Sequence, residues 1–315
     1  MPIALLLIVA SCFILFVGAE LLVRGSASMA LRLGLSPLLV GLTVVAYGTS
    51  TPELLVALKA SIAGNPDLAI GNVVGSNLFN IGVILGLCAV VSPVRTHLQV
   101  LRWDAPVLVA ATILTPLTFR DGIVSRVEGG LLLVLAAAYT WWTVRVTQRD
   151  QAGAREAHVD VPEIKKSGSP FLDFLKIAGG IAVLILGSRV LVDNAVVVAK
   201  SLGVSDVVIG LTIIAAGTSM PELATSLVAA IRGQSDIALG NILGSSIFNL
   251  FFVLGGAAII HPVRTVGLQP FDLWGLIGMT VLMCPLLWRD RRVSRIEGCI
   301  LLGAYAAYLA VMWPK

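Results

Sequence analysis

Residues 41–86 read GLTVVAYGTSTPELLVALKASIAGNPDLAIGNVVGSNLFNIGVILG, and residues 210–255 read GLTIIAAGTSMPELATSLVAAIRGQSDIALGNILGSSIFNLFFVLG. The two stretches align without a gap at an offset of 169 positions, and 24 of the 46 residues are identical. Most differences exchange one aliphatic residue for another. What persists in both is polar or helix-breaking: Gly-Thr-Ser-x-Pro-Glu, then Gly-Asn-x-x-Gly-Ser-x-x-Phe-Asn. Two carboxylates, Glu53 and Glu222, thus sit inside apolar segments. A carboxylate there is expensive, and function is the default reason to keep one.

Outside this pair the chain is equally apolar. Hydrophobic residues make up 57% and charged residues 13%, with a mean hydropathy of +0.95. Apolar runs of about 17–25 residues, the length that crosses a bilayer, recur along it. So little polar sequence could not cover a large soluble core. The expected fold is therefore an all-α integral membrane protein with ten spans, near 3–23, 37–63, 68–92, 104–119 and 124–146, then 171–199, 206–231, 236–260, 271–288 and 293–313. The first run lacks a basic leader and a small-residue cleavage site and leads into Glu20 and Arg24, so it reads as a retained helix.

The repeat continues at the same offset. Pro93-Val94-Arg95-Thr96 returns as Pro262-Val263-Arg264-Thr265, Arg120-Asp121 as Arg289-Asp290, and Glu128-Gly129 as Glu297-Gly298. Each half is a five-helix unit, 1–147 and 171–315. The charged, Gly/Ser/Pro-containing stretch 148–170 between them reads as a cytoplasmic linker too short to fold alone. An odd number of spans makes the second unit enter the membrane from the opposite side, the inverted-topology repeat of many secondary transporters. Fifteen Lys and Arg residues fall on the linker side and five on the other. The positive-inside rule then places both termini outside. Glu20/Arg24 and Arg189/Asp193 are i,i+4 pairs with exchanged signs, expected to be structural ion pairs.

In the second helix, Gly48 and Pro52 predict a break near mid-membrane that frees carbonyls around Ala46, Tyr47 and Gly48. Thr49 and Ser50 bring hydroxyls there and Glu53 a carboxylate; Ala215, Gly217, Thr218, Ser219, Pro221 and Glu222 repeat the arrangement. A plain proline kink would explain the hydroxyls but leave the two glutamates uncompensated. Ser76 and Asn80 share one helical face, as do Ser245 and Asn249. Gly71, Gly75, Gly240 and Gly244 suit close helix packing, and Asn72 and Asn241 suit bracing of the broken helices. Two carboxylates with carboxamides, hydroxyls and carbonyls form an all-oxygen set, which suits a hard cation such as Ca²⁺ or Na⁺ over soft transition metals. The cysteines (Cys12, Cys88, Cys284, Cys299) show no CxxC spacing and the three histidines no metal-ligand spacing.

These paired motifs resemble the sodium/calcium exchanger branch of the cation/calcium exchanger superfamily, across essentially all ten spans. The chain is similar to a compact prokaryotic member without the large regulatory domain of animal exchangers. The resemblance implies sodium-driven calcium antiport by alternating access in a prokaryotic inner membrane. Its ion site falls on Glu53, Glu222, Thr49, Ser50, Thr218, Ser219, Ser76, Ser245, Asn80, Asn249 and the carbonyls of Ala46 and Ala215. It also implies that the helices Ile3–Arg24 and Phe171–Lys200 slide against the other eight. Some relatives, potassium-dependent exchangers among them, carry Asp at the position of Asn80 or Asn249; two Asn here argue against potassium co-transport. Proton/calcium relatives show Gly-Asn-x-x-Glu, and neither half of this chain has that acid. The expected ligands are Ca²⁺ and Na⁺ as transported substrates, with the lipid bilayer around them. No cofactor, nucleic acid or obligatory protein partner is expected. H⁺/Ca²⁺ antiport is the alternative, a cation channel a further one, and no nucleophile–base or His–metal constellation supports an enzyme.

Overall fold

The computed structural model of the chain describes residues 2–64, 66–156, 169–202, 215–264 and 270–312. Helices account for nearly all of them: α1 (Pro2–Leu33), α2 (Pro37–Thr49), α3 (Thr51–Ile62), α4 (Leu68–Val91), α5 (Val100–Thr118), α6 (Arg126–Glu156), α7 (Pro170–Ser201), α8 (Ala215–Thr218), α9 (Met220–Ile231), α10 (Ser235–Ile260), α11 (Pro270–Trp288) and α12 (Arg295–Met312). Among the described residues, eight helices are long and apolar enough to cross a membrane, nine counting the bent pair α2–α3 as one. The short apolar α9 is the described end of the span expected at 206–231; its first part, 203–214, lies outside the described residues, as do 157–168 of the expected linker.

Two boundaries differ from expectation. The first helix runs ten residues past Val23, because RGSASMALRL contains no proline and ends only at Gly34, whose φ is +64°. The helix α6 runs to Glu156, into the stretch read as linker, because no Pro or β-turn pair interrupts TQRDQAGARE.

A membrane protein keeps its apolar side chains on both faces of its outer helices, and burial here sorts the helices accordingly. The apolar windows of α4 and α10 are 78% and 83% buried, against 17% for α7 and α12. The Gly-Asn-x-x-Gly-Ser helices therefore form the centre, while Ile3, Phe13, Trp141 and Val311 point outward from the periphery. Glycines bring the core helices together: a Cβ on Gly244 would lie 2.6 Å from the Leu42 carbonyl oxygen, and one on Gly240 2.8 Å from that of Leu38. Gly71, the equivalent of Gly240, meets nothing within 4 Å of a Cβ among the described residues; the counterparts of Leu38, Gly41 and Leu42 (207, 210 and 211) lie outside them.

The halves interlock reciprocally. Strand β1 (Val94–Arg95) pairs antiparallel with β4 (Arg292–Val293), and β2 (Ile123–Val124) with β3 (Val263–Arg264). Each pairing is the other's repeat equivalent. Thr112 and Thr280 meet at 3.4 Å where α5 crosses α11.

Helices α1 and α7 lie along one another. Gly18, Gly25, Gly180 and Gly187 sit in their contact, each with atoms of the opposite helix within 3.0 Å of an added Cβ. The buried Asp173 at the start of α7 accepts from Ser28 Oγ at 2.8 Å and Arg32 Nε at 2.7 Å, both on α1. Both predicted ion pairs form: Glu20 with Arg24, and Arg189 with Asp193 at 3.9 Å. Glu20 also takes Arg232, at the end of α9, at 2.6 Å.

Before α5, His97 Nε2 stands 2.8 Å from Asp236 Oδ1 in the first turn of α10. That hydrogen bond raises the His97 pKa above the ordinary value. A raised folded-state pKa makes the pair's stabilisation complete below the unfolded value of about 6.5 and lost as pH rises through the folded value. The apparent melting temperature of purified protein is thus expected to fall modestly across that window. His97→Gln should remove this component; an unchanged pH profile in the variant would count against the pair.

Candidate functional site

The second helix breaks at Ser50, where φ −80° and ψ 8° separate α2 from α3 at an angle of 43°. Ser219 makes the same break between α8 and α9, with φ −88° and ψ 10°. Pro52 and Pro221 enter the first turn of the following helix, where the missing N–H had no intrahelical partner. The glycines serve close approach: a Cβ on Gly48 would collide with Ile181, and one on Gly217 with Val192, both on α7.

The break falls between Gly48 and Pro52, as expected, but the Ala46 and Tyr47 carbonyls expected to be freed beside it are not bare. The Ala46 oxygen still accepts the Ser50 N–H at 3.0 Å, and hydroxyls of Thr49 and Ser245 approach it at 3.3 and 3.4 Å. The Tyr47 oxygen accepts from the Thr51 hydroxyl at 3.1 Å. Ala215 is the first described residue of α8.

At the break each glutamate reaches across to the other half. Ser50 Oγ donates to Glu222 Oε1 at 2.8 Å, and Ser219 Oγ donates to Glu53 Oε1 at 2.9 Å. Thr49 Oγ1 donates to Asn241 Oδ1 at 3.0 Å, and Thr218 Oγ1 to Asn72 Oδ1 at 3.3 Å. The carboxamides then return: Asn72 Nδ2 donates to the Glu53 carbonyl at 3.0 Å, and Asn241 Nδ2 to the Glu222 carbonyl at 3.4 Å. Asn72 and Asn241 therefore brace the two breaks, holding Thr49, Thr218 and the glutamate-bearing turns in place. Asn241→Ala removes three bonds, including one from Nδ2 to Ser226 Oγ at 2.9 Å. Loss of such an outer-shell support is expected to lower apparent Ca²⁺ affinity about 10–100-fold, measured by titration calorimetry; an unchanged affinity would show that Thr49 and Glu222 need no brace.

Every expected site residue whose side chain is described is buried: Ala46, Thr49, Ser50, Glu53, Ser76, Asn80, Thr218, Ser219, Glu222, Ser245 and Asn249. Their bonding is incomplete in a telling way. Glu53 Oε2, Glu222 Oε2, Ser76 Oγ, Asn80 Oδ1 and both polar atoms of Asn249 have no hydrogen-bond partner. Buried polar atoms are nearly always satisfied, so a constellation of orphaned oxygens around two carboxylates is what a dehydrated hard cation would complete. Among the described residues no group of three His, Cys, Asp or Glu exists, so neutral oxygens must supply most of any coordination shell. Asn80 and Asn249 each begin a wide π-helical turn, Asn80–Leu85 and Asn249–Val253, a distortion frequent at functional sites.

Motif reading missed some of this polar surface. Asn77, three residues before Asn80, is fully buried with both carboxamide atoms unpartnered, and Ser246 at its repeat position receives Asn80 Nδ2 at 3.5 Å. Their spacing on the Ser76/Asn80 face was the available signal.

Comparisons with known proteins agree with this geometry. Residues 3–145 and 173–313 match the family model described as sodium/calcium exchanger protein. The inner membrane protein YrbG of Escherichia coli K12 is 33% identical, over 99% of this chain and 98% of its own. The sodium/calcium exchanger MaX1 of Methanosarcina acetivorans is 28% identical, over 94% of each chain. The solved structure of the sodium-calcium exchanger NCX_Mj, soaked with Na⁺ and Ca²⁺, superposes with a TM-score of 0.84 at 28% identity, covering 99% of both chains. With a break, a pair of crossed glutamates and a bracing asparagine in each half, this chain belongs to the sodium/calcium exchanger family.

Proposed function

We propose that this multi-pass membrane protein, a cation/Ca²⁺ antiporter and not an enzyme, exchanges Na⁺ for Ca²⁺ at a single midplane site by alternating access. The observation that carries this reading is the pair Glu53/Glu222, fully buried, each bonded to the opposite half through one oxygen and open at the other. Two carboxylates neutralise one Ca²⁺, and Ser76, Ser245, Asn80, Asn249 and the hydroxyls at Ser50 and Ser219 supply neutral oxygens toward the roughly 6–8 that Ca²⁺ takes. The same oxygens divide among separate Na⁺ ions. Thr49, Thr218 and the Ala46 and Ala215 carbonyls complete the set. Loading one Ca²⁺ against more than two Na⁺ moves net charge, which makes transport voltage-sensitive.

The site is framed by two five-helix halves of inverted topology, ten spans in all, with the linker cytoplasmic and both termini outside a prokaryotic inner membrane. The reciprocal strand pairs and reciprocal Ser–Glu bonds support this frame. Helices α1 and α7, tied together at Asp173 and packed through glycines, are the moving unit. They slide past α2–α3 and α8–α9 to open the site to one side at a time. H⁺/Ca²⁺ exchange is the second reading, because the same two glutamates could take protons as Ca²⁺ leaves. Binding separates the two: ⁴⁵Ca²⁺ bound to purified protein at fixed pH should be displaced by Na⁺ with a Hill coefficient above one, and not by choline. Displacement by acidification alone, with Na⁺ inert, would favour the proton reading.

A further inference from the structure

Away from the transport site, α5 carries a further buried carboxylate. Asp104 is 1% exposed and is the last residue of a π-helical turn, Val100–Asp104. Tyr139 Oη, on α6, donates to its Oδ1 at 2.9 Å. Its Oδ2 has no partner, and neither has the buried Oγ1 of Thr143, one turn beyond Tyr139 on α6. A bare carboxylate in this position lacks the counter-charge that burial demands. The charged and titratable groups on the neighbouring elements do not provide one. Arg102 on α5, Arg145 on α6, and Arg289, Asp290 and Arg291 after α11 are exposed. His97 is engaged with Asp236, and Arg145 lies over the Trp141 ring. The remaining titratable neighbours are the phenols of Tyr139 and, through Thr140, Tyr47.

Hydroxyls line the same face of α6 at helical spacing. Thr147 Oγ1 donates to Gln99 Oε1 at 3.2 Å near the start of α5; Thr143 and Tyr139 follow at four-residue steps. Next to Tyr139, Thr140 bonds the Tyr47 hydroxyl. Because Thr140 Oγ1 already donates to the Ala136 carbonyl at 2.8 Å, Tyr47 must be the donor in that bond. Tyr47 stands beside Gly48 at the break and stacks on Phe248, the neighbour of Asn249, at 4.5 Å. Polar side chains thus stand at intervals along α6 between the start of α5 and the wall of the ion site. The fold's symmetry does not require them. The second half keeps an Asp–Tyr pair, Tyr308 Oη to Asp272 Oδ1 at 2.8 Å, but has Met312, Leu309 and Ala216 where the first has Thr143, Thr140 and Tyr47.

We propose that Asp104 is a proton-binding site separate from the ion site, occupied as a neutral acid that carries its proton on the unpartnered Oδ2 while accepting from Tyr139 at Oδ1. A neutral acid removes the uncompensated charge from this buried position. Ca²⁺ would need about 6–8 oxygens, and the cluster presents two open ones. The proton enters from water at the Gln99–Thr147 end, and its loss leaves a bare charge buried against Tyr139 of α6, one residue along from the Thr140 that holds Tyr47. Deprotonation therefore slows exchange.

Infrared difference spectroscopy of purified protein in lipid nanodiscs tests this, with Asp104→Asn as the reference because its amide keeps the shape and the donor. A protonated-carboxyl band present in the wild type at neutral pH, lost in Asp104→Asn and titrating at higher pH is expected. In proteoliposomes the wild-type Ca²⁺ exchange rate should fall about fivefold or more over that titration, while Asp104→Asn stays flat at the low-pH level. No carboxyl band assignable to Asp104, a band abolished by Na⁺ at constant pH, or a variant that keeps the wild-type pH profile would each overturn the assignment. Should Asp104→Asn not assemble, Tyr139→Phe removes the bond to Oδ1 and must shift the band; an unshifted band also overturns it. The spectrum requires no transported ion, so its failure is distinct from failure of Na⁺/Ca²⁺ exchange.

Discussion

Replacing either central glutamate by glutamine is expected to abolish Ca²⁺ exchange. Glu53→Gln and Glu222→Gln preserve shape and the hydrogen bond from the opposing serine, Ser219 or Ser50, but remove one of two negative charges facing the cation. Breaking one partner of a buried charge pair costs about 3–5 kcal/mol, or at least ~100-fold in Ca²⁺ affinity. Because the halves cross-bond reciprocally, both substitutions should have effects of similar size. ⁴⁵Ca²⁺ binding and flux measured on each variant check this. A variant that keeps wild-type binding would show that its carboxylate is a structural acceptor for the serine and not an ion ligand.

The second large effect concerns packing. Gly244→Val should prevent assembly, since a Cβ alone would lie 2.6 Å from the Leu42 carbonyl oxygen and 2.8 Å from the Ala46 Cβ. Backbone cannot yield as a flexible side chain does, and overpacking of this kind costs about 1–3 kcal/mol or more. Here it also pushes α10 away from the break that carries Thr49 and Ser50, so binding is lost with stability. Gly303→Ala, on the exposed face of α12, is the control. Nothing lies within 4 Å of its Cβ, and Gly→Ala in a helix gains about 0.5–1 kcal/mol. Melting followed by size-exclusion chromatography separates the two: a sharp loss of folded protein for Gly244→Val, none for Gly303→Ala. Equal behaviour would mean that the two glycines are interchangeable and the close crossing is dispensable.

Much of this was legible in residues alone because membrane burial makes rare polar groups conspicuous. Glu53 and Glu222 stand out against an apolar background, and the 169-residue offset pairs every element of the site. The structure then brings Ser50, Ser219, Thr49, Thr218, Asn72 and Asn241 to the two breaks. What could not be read is the crossing of bonds between halves: a motif states which residues recur, not that Ser50 serves Glu222 while Ser219 serves Glu53. The break lies where Gly48 and Pro52 bracket it, but the role of Gly48 was misread: it reads as a breaker from composition and is glycine because Ile181 passes there. Asp104 escaped notice because it lies at the edge of its apolar run and its repeat counterpart is displaced by one residue, the place where α5 accommodates a π-helical turn.

The most direct test of the central claim is ⁴⁵Ca²⁺ uptake into proteoliposomes, comparing an outward Na⁺ gradient with an outward H⁺ gradient at matched membrane potential. Uptake driven by the Na⁺ gradient, weak with H⁺, and absent in Glu53→Gln and Glu222→Gln is the predicted result. Uptake driven by the H⁺ gradient with Na⁺ inert, or uptake that needs neither gradient, would contradict sodium-coupled exchange.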